Sequence, residues 1–486
     1  MTIHRRRKQE RLKIMRIHLE YLFYSCLMIC STAVHVDVEY PNVELHNLAF
    51  GSCHNRKKAL QRLQQSNIST TIWDQIPNNV QGFVWTGDTI YSPVKQGVAS
   101  VDLLRIEYDE MLNNPTLGYS HFLDRLQSRP DSVGVFGSWD DHDYGANDAG
   151  SELSMRKDFI KRQDAFLDFL NVPKNSETRH RKGVYSCALF GSKHKVMLIL
   201  LDTRTHRQSH CIPSWASIHI PLVGSIGGTL TALFACLTRW FTASILLHPW
   251  FRPIFANQCT KRQILGEEQW HWLEELLDTY KTENVSAHIV VSSIQLLTTN
   301  PAPESWGHFD IERTRLLKLL SKLPGLVVLS GDVHHAEIAS WQTKSAEIVE
   351  VTSSGLTHSV LDMGSLIVPV AKWQMNLFHH HRRRNQESFY VGRNFGTINF
   401  DWETKSAMTV NVHDDTGKVV LSTGEIHLNL NQPPTITDED VQNIFKITSS
   451  QGWGAMSVFV SFNLFVLIAI LWLYARQARK VKSKLE

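Results

Sequence analysis

The stretch Gly137-Ser138-Trp139-Asp140-Asp141-His142-Asp143 follows an apolar run, Val133 to Phe136, that reads as the end of a buried strand. Adjacent carboxylates repel and resist burial, so a core strand has no use for Asp140-Asp141. A pair of bound cations does, because their charge keeps both acids ionised and oriented. The bland alternative is an acidic turn capping a helix. Similar strand ends elsewhere argue against it: Cys53-His54, Asp88 with Tyr91, Gln295, and Asp332 with His334. Carboxylate, phenolate and amide oxygens suit hard cations, while imidazole and thiolate suit iron or zinc. Two metals about 3.5 to 4 Å apart can clamp a phosphate and activate a water for in-line attack. One carboxylate must bridge the ions, others must cap them, and a histidine should protonate the leaving oxygen.

Short apolar strands alternating with amphipathic helices position these residues, which predicts an α/β core. Strands are expected at Val43 to Phe50, Gly82 to Thr86, Val133 to Phe136, Gly183 to Phe190, Lys195 to Leu201, His288 to Ser292 and Leu326 to Leu329. Helices are expected at Lys57 to Gln65, Leu103 to Leu112, Met155 to Leu170, Glu267 to Tyr280 and Ile311 to Leu320. From Gly396 the pattern becomes antiparallel. Thr397 to Asp401, Met408 to His413, Val419 to Ser422 and Ile426 to Leu430 read as edge strands, with a turn at Asp414 to Gly417.

The 486 residues are 43% hydrophobic and 20% charged, enough for a large core. A net charge of +3 gives no reason to expect a nucleic-acid partner. A basic leader and the apolar run Tyr21 to Val34 read as a signal peptide or signal-anchor over residues 1–35. Trp453 to Tyr474 carries no charge and is long enough to cross a bilayer. The basic tail after it, 475–486, places that end in the cytosol and the body, 36–432, in the lumen. Residues 433–452 are a juxtamembrane linker, and the tail Lys482-x-Lys484-x-x resembles an endoplasmic-reticulum retrieval signal. Asn67 and Asn284 head glycosylation sequons. Five cysteines lie beyond the leader (Cys53, Cys187, Cys211, Cys236 and Cys259), an odd number that leaves a thiol free or metal-bound.

An apolar insertion spans about 212–258, and its first part, 212–237, has no Asp, Glu, Lys or Arg. It reads as a membrane-dipping hairpin or as a buried helical insertion, and Cys211 and Cys259 could pair across its base.

The chain resembles the PhoD-like alkaline phosphatases of the calcineurin-like metallophosphoesterase superfamily. The matching pieces are GSC at 51–53, GDTIY at 87–91, WDDHD at 139–143, LDTR at 201–204, LGEEQWHWL at 265–273, SSIQ at 292–295, ESWGHF at 304–309 and GDVH at 331–334. The resemblance implies a four-layer αββα sandwich and a centre of two or three metals, iron with calcium, with zinc, manganese or magnesium as alternatives. It implies Cys53, Asp88, Tyr91, Asp140, Asp141, Gln295, Asp332 and His334 as metal ligands, with Asp88 bridging. His142, Asp141 and Arg204 would be catalytic, and Asp143 would orient His142. The expected function is a metal-dependent phosphatase or phosphodiesterase of the secretory pathway, in which a metal-activated hydroxide attacks phosphorus. Its substrate is a phosphate ester, with a lipid-linked one suggested by the anchor and the insertion. The alternative is a silent membrane-anchored binding or trafficking protein that retains the fold.

Overall fold

The computed structural model describes residues 36–66, 70–93, 97–210, 261–298, 300, 303–342, 347–365, 367–377, 388–428 and 464. Two sheets form the centre. The first runs in the order β1 (Val38–Tyr40), β5 (Ser186–Phe190), β6 (Lys195–Leu200), β7 (Val285–Val291), β8 (Leu326–Ser330), β10 (Glu347–Ser353), β9 (Ala336–Gln342) and β11 (Phe389–Tyr390). The second runs β14 (Val419–His427), β13 (Ala407–Asp414), β12 (Asn394–Asp401), β2 (Asn47–Gly51), β3 (Gly82–Thr86) and β4 (Gly134–Ser138).

Side-chain alternation along these strands builds the layers. Leu48 and Phe50 of β2, Val196, Leu198 and Leu200 of β6, and Val327 and Leu329 of β8 meet in one core between the sheets. Residues of opposite parity face outward. Ala49, Phe83 and Trp85 pack under the helices α1 (Arg56–Ser66), α2 (Val101–Asn113), α3 (Tyr119–Gln127), α4 (Asp141–Tyr144), α5 (Ser151–Ser154) and α6 (Phe159–Phe169). Met197, Ile199 and Val328 pack under α7 (Gly266–Thr279) and α8 (Asp310–Leu320). The order is helices, sheet, sheet, helices, as the αββα expectation requires. A further helix, α9, runs from Ile367 to Leu377.

The parallel strands deliver the site. β2, β3 and β4 are mutually parallel, as are β6, β7, β8 and β10. The ends of the two sheets are tied together by a bridge between Ser52 and Ser354 and by the Leu356 amide donating to Ser52 O at 3.1 Å. Gly331 needs its missing side chain here, because a Cβ would lie 2.4 Å from Thr86 O and 2.6 Å from Ser52 Oγ.

Several boundaries differ from expectation. Residues 43–46 precede β2 rather than belonging to it, and the helix expected from Met155 begins only at Phe159. The antiparallel strands are not all edges: β12 lies between β13 and β2, and only β14 is terminal. The two strands expected after residue 418 are one, β14, whose pairing with β13 is interrupted by bulges that blur its period. Among the described residues no helix is long and apolar enough to cross a membrane. The leader, the insertion, Asn67, the linker and the stretch Trp453 to Tyr474, apart from Leu464, lie outside the described residues, as do Cys211, Cys236 and Cys259.

Candidate metal centre

Four site residues have left-handed backbones: Cys53 (φ 64°), Asp88 (φ 50°), Asp332 (φ 72°) and His334 (φ 57°). Non-glycine residues adopt this region at a cost, and such conformations concentrate at functional sites. Each follows a parallel strand, where the chain must turn sharply to aim a side chain past the sheet edge.

Two groups of ligand atoms form, each with all atoms within 4.8 Å of one another. One contains Cys53, Asp88 and His334; the other contains Asp88, Asp140, Asp141 and Asp332. Asp88 belongs to both. In the first group Tyr91 Oη lies 2.5 Å from Asp88 Oδ2 and 3.1 Å from His334 Nε2, and Cys53 Sγ lies 3.6 Å from Asp88 Oδ2. Two further trios meet the same distance limit: Asp88, Asp141 and His142, and Asp141, Asp148 and Glu304.

The electrostatics are those of a site built for cations. Burial, then the neighbouring Asp141 and Asp140, raise Asp88 well above the usual carboxylate range. Burial and Asp140 do the same to Asp332. Burial and Asp88 push up both the Cys53 thiol and the Tyr91 phenol. Burial also raises Asp140, against the pull of Arg204. Burial opposes ionisation of Asp141 too, but His142 and Arg204 outweigh it and hold its carboxyl low. His142 is itself held neutral at neutral pH, chiefly by burial, so Arg204 remains as the lasting counter-charge. Asp140 Oδ2 and Asp141 Oδ1 are buried without a hydrogen-bond partner. Such orphaned oxygens are costly unless an ion meets them, and the O, S and N donor set fits bound metals.

His142 is half-buried beside this cluster. Its backbone N–H donates to Asp88 Oδ1 at 3.3 Å, and its ring lies against Tyr91 with centroids 4.0 Å apart.

Three assignments need correction. Asp143 does not reach the His142 ring. One carboxylate oxygen accepts the amide N–H groups of Thr89 and Asp140, and the other accepts the Ile90 amide and the hydroxyls of Thr89 and Tyr108. It sits at the third position of α4 in a capping box with Asp140, so it points back at the Asp88 loop. Arg204 is fully buried between two acids: Nε donates to Asp140 Oδ1 at 2.5 Å and Nη1 to Glu304 Oε2 at 2.8 Å. It holds Asp140 rather than facing a substrate. Gln295 turns away, its amide nitrogen reaching Thr352 Oγ1 at 3.0 Å and Glu337 Oε2 at 3.5 Å. From that segment it is Ser293 that meets the cluster, donating to Asp140 Oδ1 at 2.8 Å. Side chains two apart in an irregular loop do not share a face as they would in a strand.

Sequence reading missed four participants. Glu304 is buried and engages Arg204, Arg207 and His210. Ser354 and His358 follow β10: Ser354 Oγ lies 3.0 Å from Cys53 Sγ, and His358 Nε2 lies 3.2 Å from His334 Nε2. Ser293 is the fourth. Glu304 could have been found from the coincidence of a lone acid with Arg204 and Arg207; Ser354 had no signal of its own. Of the neighbouring histidines, His54 packs against Trp73 and Trp85, and His335 is satisfied by Val333 O and Glu337. Cys187 is a buried free thiol, and Asn284 is exposed just before β7.

No curated protein matches the chain. Among solved structures, it is similar to PhoD (15% identity, 86% of this chain and 78% of that one, TM-score 0.44). It is also similar to GAP50, the anchor in the inner membrane complex of Plasmodium (11% identity, 83% and 98%, TM-score 0.36). A third is the purple acid phosphatase PPD1 from yellow lupin, Lupinus luteus, seeds (10% identity, 79% and 54%, TM-score 0.40). The sequence model of the PhoD-like phosphatases matches residues 48–412, a span that contains both ligand groups and every strand end that forms them. The chain belongs to the PhoD-like phosphatase family, and it is a metal-dependent phosphoesterase.

Proposed function

We propose that Asp88 bridges two cations, one held with Cys53, Tyr91 and His334 and the other with Asp140, Asp141 and Asp332. The observation that carries this reading is the membership of Asp88 in both ligand groups. Bound there, the ions supply Lewis-acid charge for the phosphoryl oxygens and a nucleophile at neutral pH. The thiolate and phenolate in the first group favour iron, and the all-carboxylate second group favours calcium, with zinc, manganese or magnesium as alternatives. His142, neutral and half-buried beside Asp88, takes part in proton transfer to the leaving oxygen. Arg204 and Glu304 keep Asp140 aimed, and Asp143 keeps the Asp88 loop and α4 in register.

The substrate side is read from the insertion. Its flanking residues close into a neck: the Gln208 amide donates to Gln263 O at 2.9 Å, and the Gln263 amide donates to Gln208 Oε1 at 3.1 Å. The same irregular stretch carries Arg207 and His210, which meet Glu304 at the edge of the metal cluster. An apolar, charge-poor segment rooted beside the site supports a lipid-linked phosphate ester as substrate. The leader, the Trp453 to Tyr474 stretch and the basic tail support a membrane-anchored enzyme facing the lumen of the secretory pathway, held in the endoplasmic reticulum by its Lys482-x-Lys484 tail.

The deciding experiment is elemental analysis of the purified full chain beside monoester and diester assays, with D88N as control. Two or more metal equivalents and activity, both lost in D88N, are expected. Metal-free, inactive wild type would leave the silent binding protein as the reading.

A further inference from the structure

We propose that Ser354 is a positioning residue of the metal centre, donating its hydroxyl proton to the Cys53 sulfur while its oxygen holds the His334 backbone. This rests on the reading of Cys53 and His334 as ligands.

Ser354 is fully buried, and its Oγ meets two partners on different strand ends. It accepts the His334 N–H at 2.9 Å, and it lies 3.0 Å from Cys53 Sγ. A hydroxyl has one proton and two lone pairs. The His334 amide can only donate, so it takes a lone pair and leaves the proton for the sulfur. A thiolate has no proton to offer in return, which fixes the direction as O–H to S.

Ser354 is held so that this geometry is imposed rather than chosen. Its backbone forms the bridge to Ser52, its amide donates to His335 O at 3.3 Å, and Ser52 Oγ donates to Ser353 O at 3.2 Å. Three residues on, Thr357 Oγ1 donates to Cys53 O at 3.2 Å and accepts the Asn55 amide at 2.7 Å. The loop after β10 therefore grips Cys53 at both its carbonyl and its sulfur. His334, left-handed at φ 57°, is steadied by the same hydroxyl.

A hydrogen bond to a ligating thiolate stabilises charge on sulfur and withdraws electron density from the metal. Its loss should raise the donor level of the sulfur and loosen His334 together. The probe is Co²⁺, loaded alone into the metal-stripped full chain, with the near-ultraviolet thiolate-to-cobalt band and Co²⁺ affinity as readouts. In S354A the band should move to longer wavelength and Co²⁺ should bind about 10- to 100-fold more weakly. S354T keeps the hydroxyl and should restore both. S354C, a poor donor in a similar volume, should move the band in the same direction as S354A and carries the test if S354A does not fold. A wild-type band with unchanged position and affinity in the variants would overturn the role of Ser354. A wild-type protein that binds Co²⁺ without any thiolate band would instead overturn Cys53 as a ligand, and this inference with it.

Discussion

Arg204 and Glu304 form an ion pair at 2.8 Å with both side chains almost wholly removed from water, and the far side of the same guanidinium holds Asp140. Breaking a buried pair leaves an uncompensated charge, which costs about 3–5 kcal/mol. E304Q should therefore lose about that much stability by urea denaturation, and R204Q a comparable amount. The double variant should be less unstable than the sum, because the charge that each single variant leaves facing its lost partner is gone, while the losses at Asp140 and Arg207 are common to both routes. Additive losses would show that the two residues act separately.

His142 lies at the rim of the cluster, its ring against Tyr91 and one ring nitrogen within 4.8 Å of Asp88 and Asp141 oxygens, but outside both proposed ion sites, so replacing it should spare the ions. For H142N we expect metal content unchanged and kcat lowered about 10²- to 10⁴-fold. The loss should shrink for an ester whose leaving group departs without a proton. A variant equally impaired on both kinds of ester would assign His142 to phosphate contact instead.

The ions should make stability depend on pH in a defined direction. Without them, burial and mutual repulsion raise Asp88 and Asp332 in the folded chain above their unfolded values near 3.8. Folding then favours their protonated forms. That contribution is complete below about pH 4 and is lost as pH rises through the raised folded values. Loaded protein keeps these groups ionised without that loss. The gap in melting temperature between metal-loaded and chelator-stripped protein should widen steadily from about pH 4 toward neutrality. A constant gap would mean that the carboxylates do not face the ions.

Deleting 212–258 and joining the neck should preserve hydrolysis of a small soluble ester, because Gln208 and Gln263 already hold the two ends together. Turnover of a lipid phosphate in mixed micelles should fall, chiefly through KM. Equal effects on both substrates would place the segment in the catalytic architecture itself.

The legibility of the chain follows what each strand buries. β3, β6 and β8 are covered on both faces and read as continuous apolar runs, so the residues after β3 and β8 and the LDTR segment after β6 could be found directly. β10 was missed because Glu347 and Glu350 interrupt its pattern. Glu350 is nonetheless buried, accepting the Leu296 and Leu297 amides at 2.7 Å each. With that strand unseen, Ser354 and His358 had no address. The clustering of metal-type residues at strand ends around 53, 88, 140, 141, 332 and 334 was legible from residue types, while their roles as ligands came only from the family resemblance. The roles of Arg204, Gln295 and Asp143 were not legible, since side-chain direction in a loop depends on partners far away in sequence.

The four left-handed residues have a consequence for how this protein can change over time. An L-residue in that conformation costs about 1–2 kcal/mol, which glycine would not incur. A descendant freed from hydrolysis would gain stability by drifting to glycine or asparagine at 53, 88, 332 and 334. These positions thus act as a fossil record: a relative that still carries the unrelaxed residues is being held there by its chemistry, and one that has relaxed them has become a scaffold.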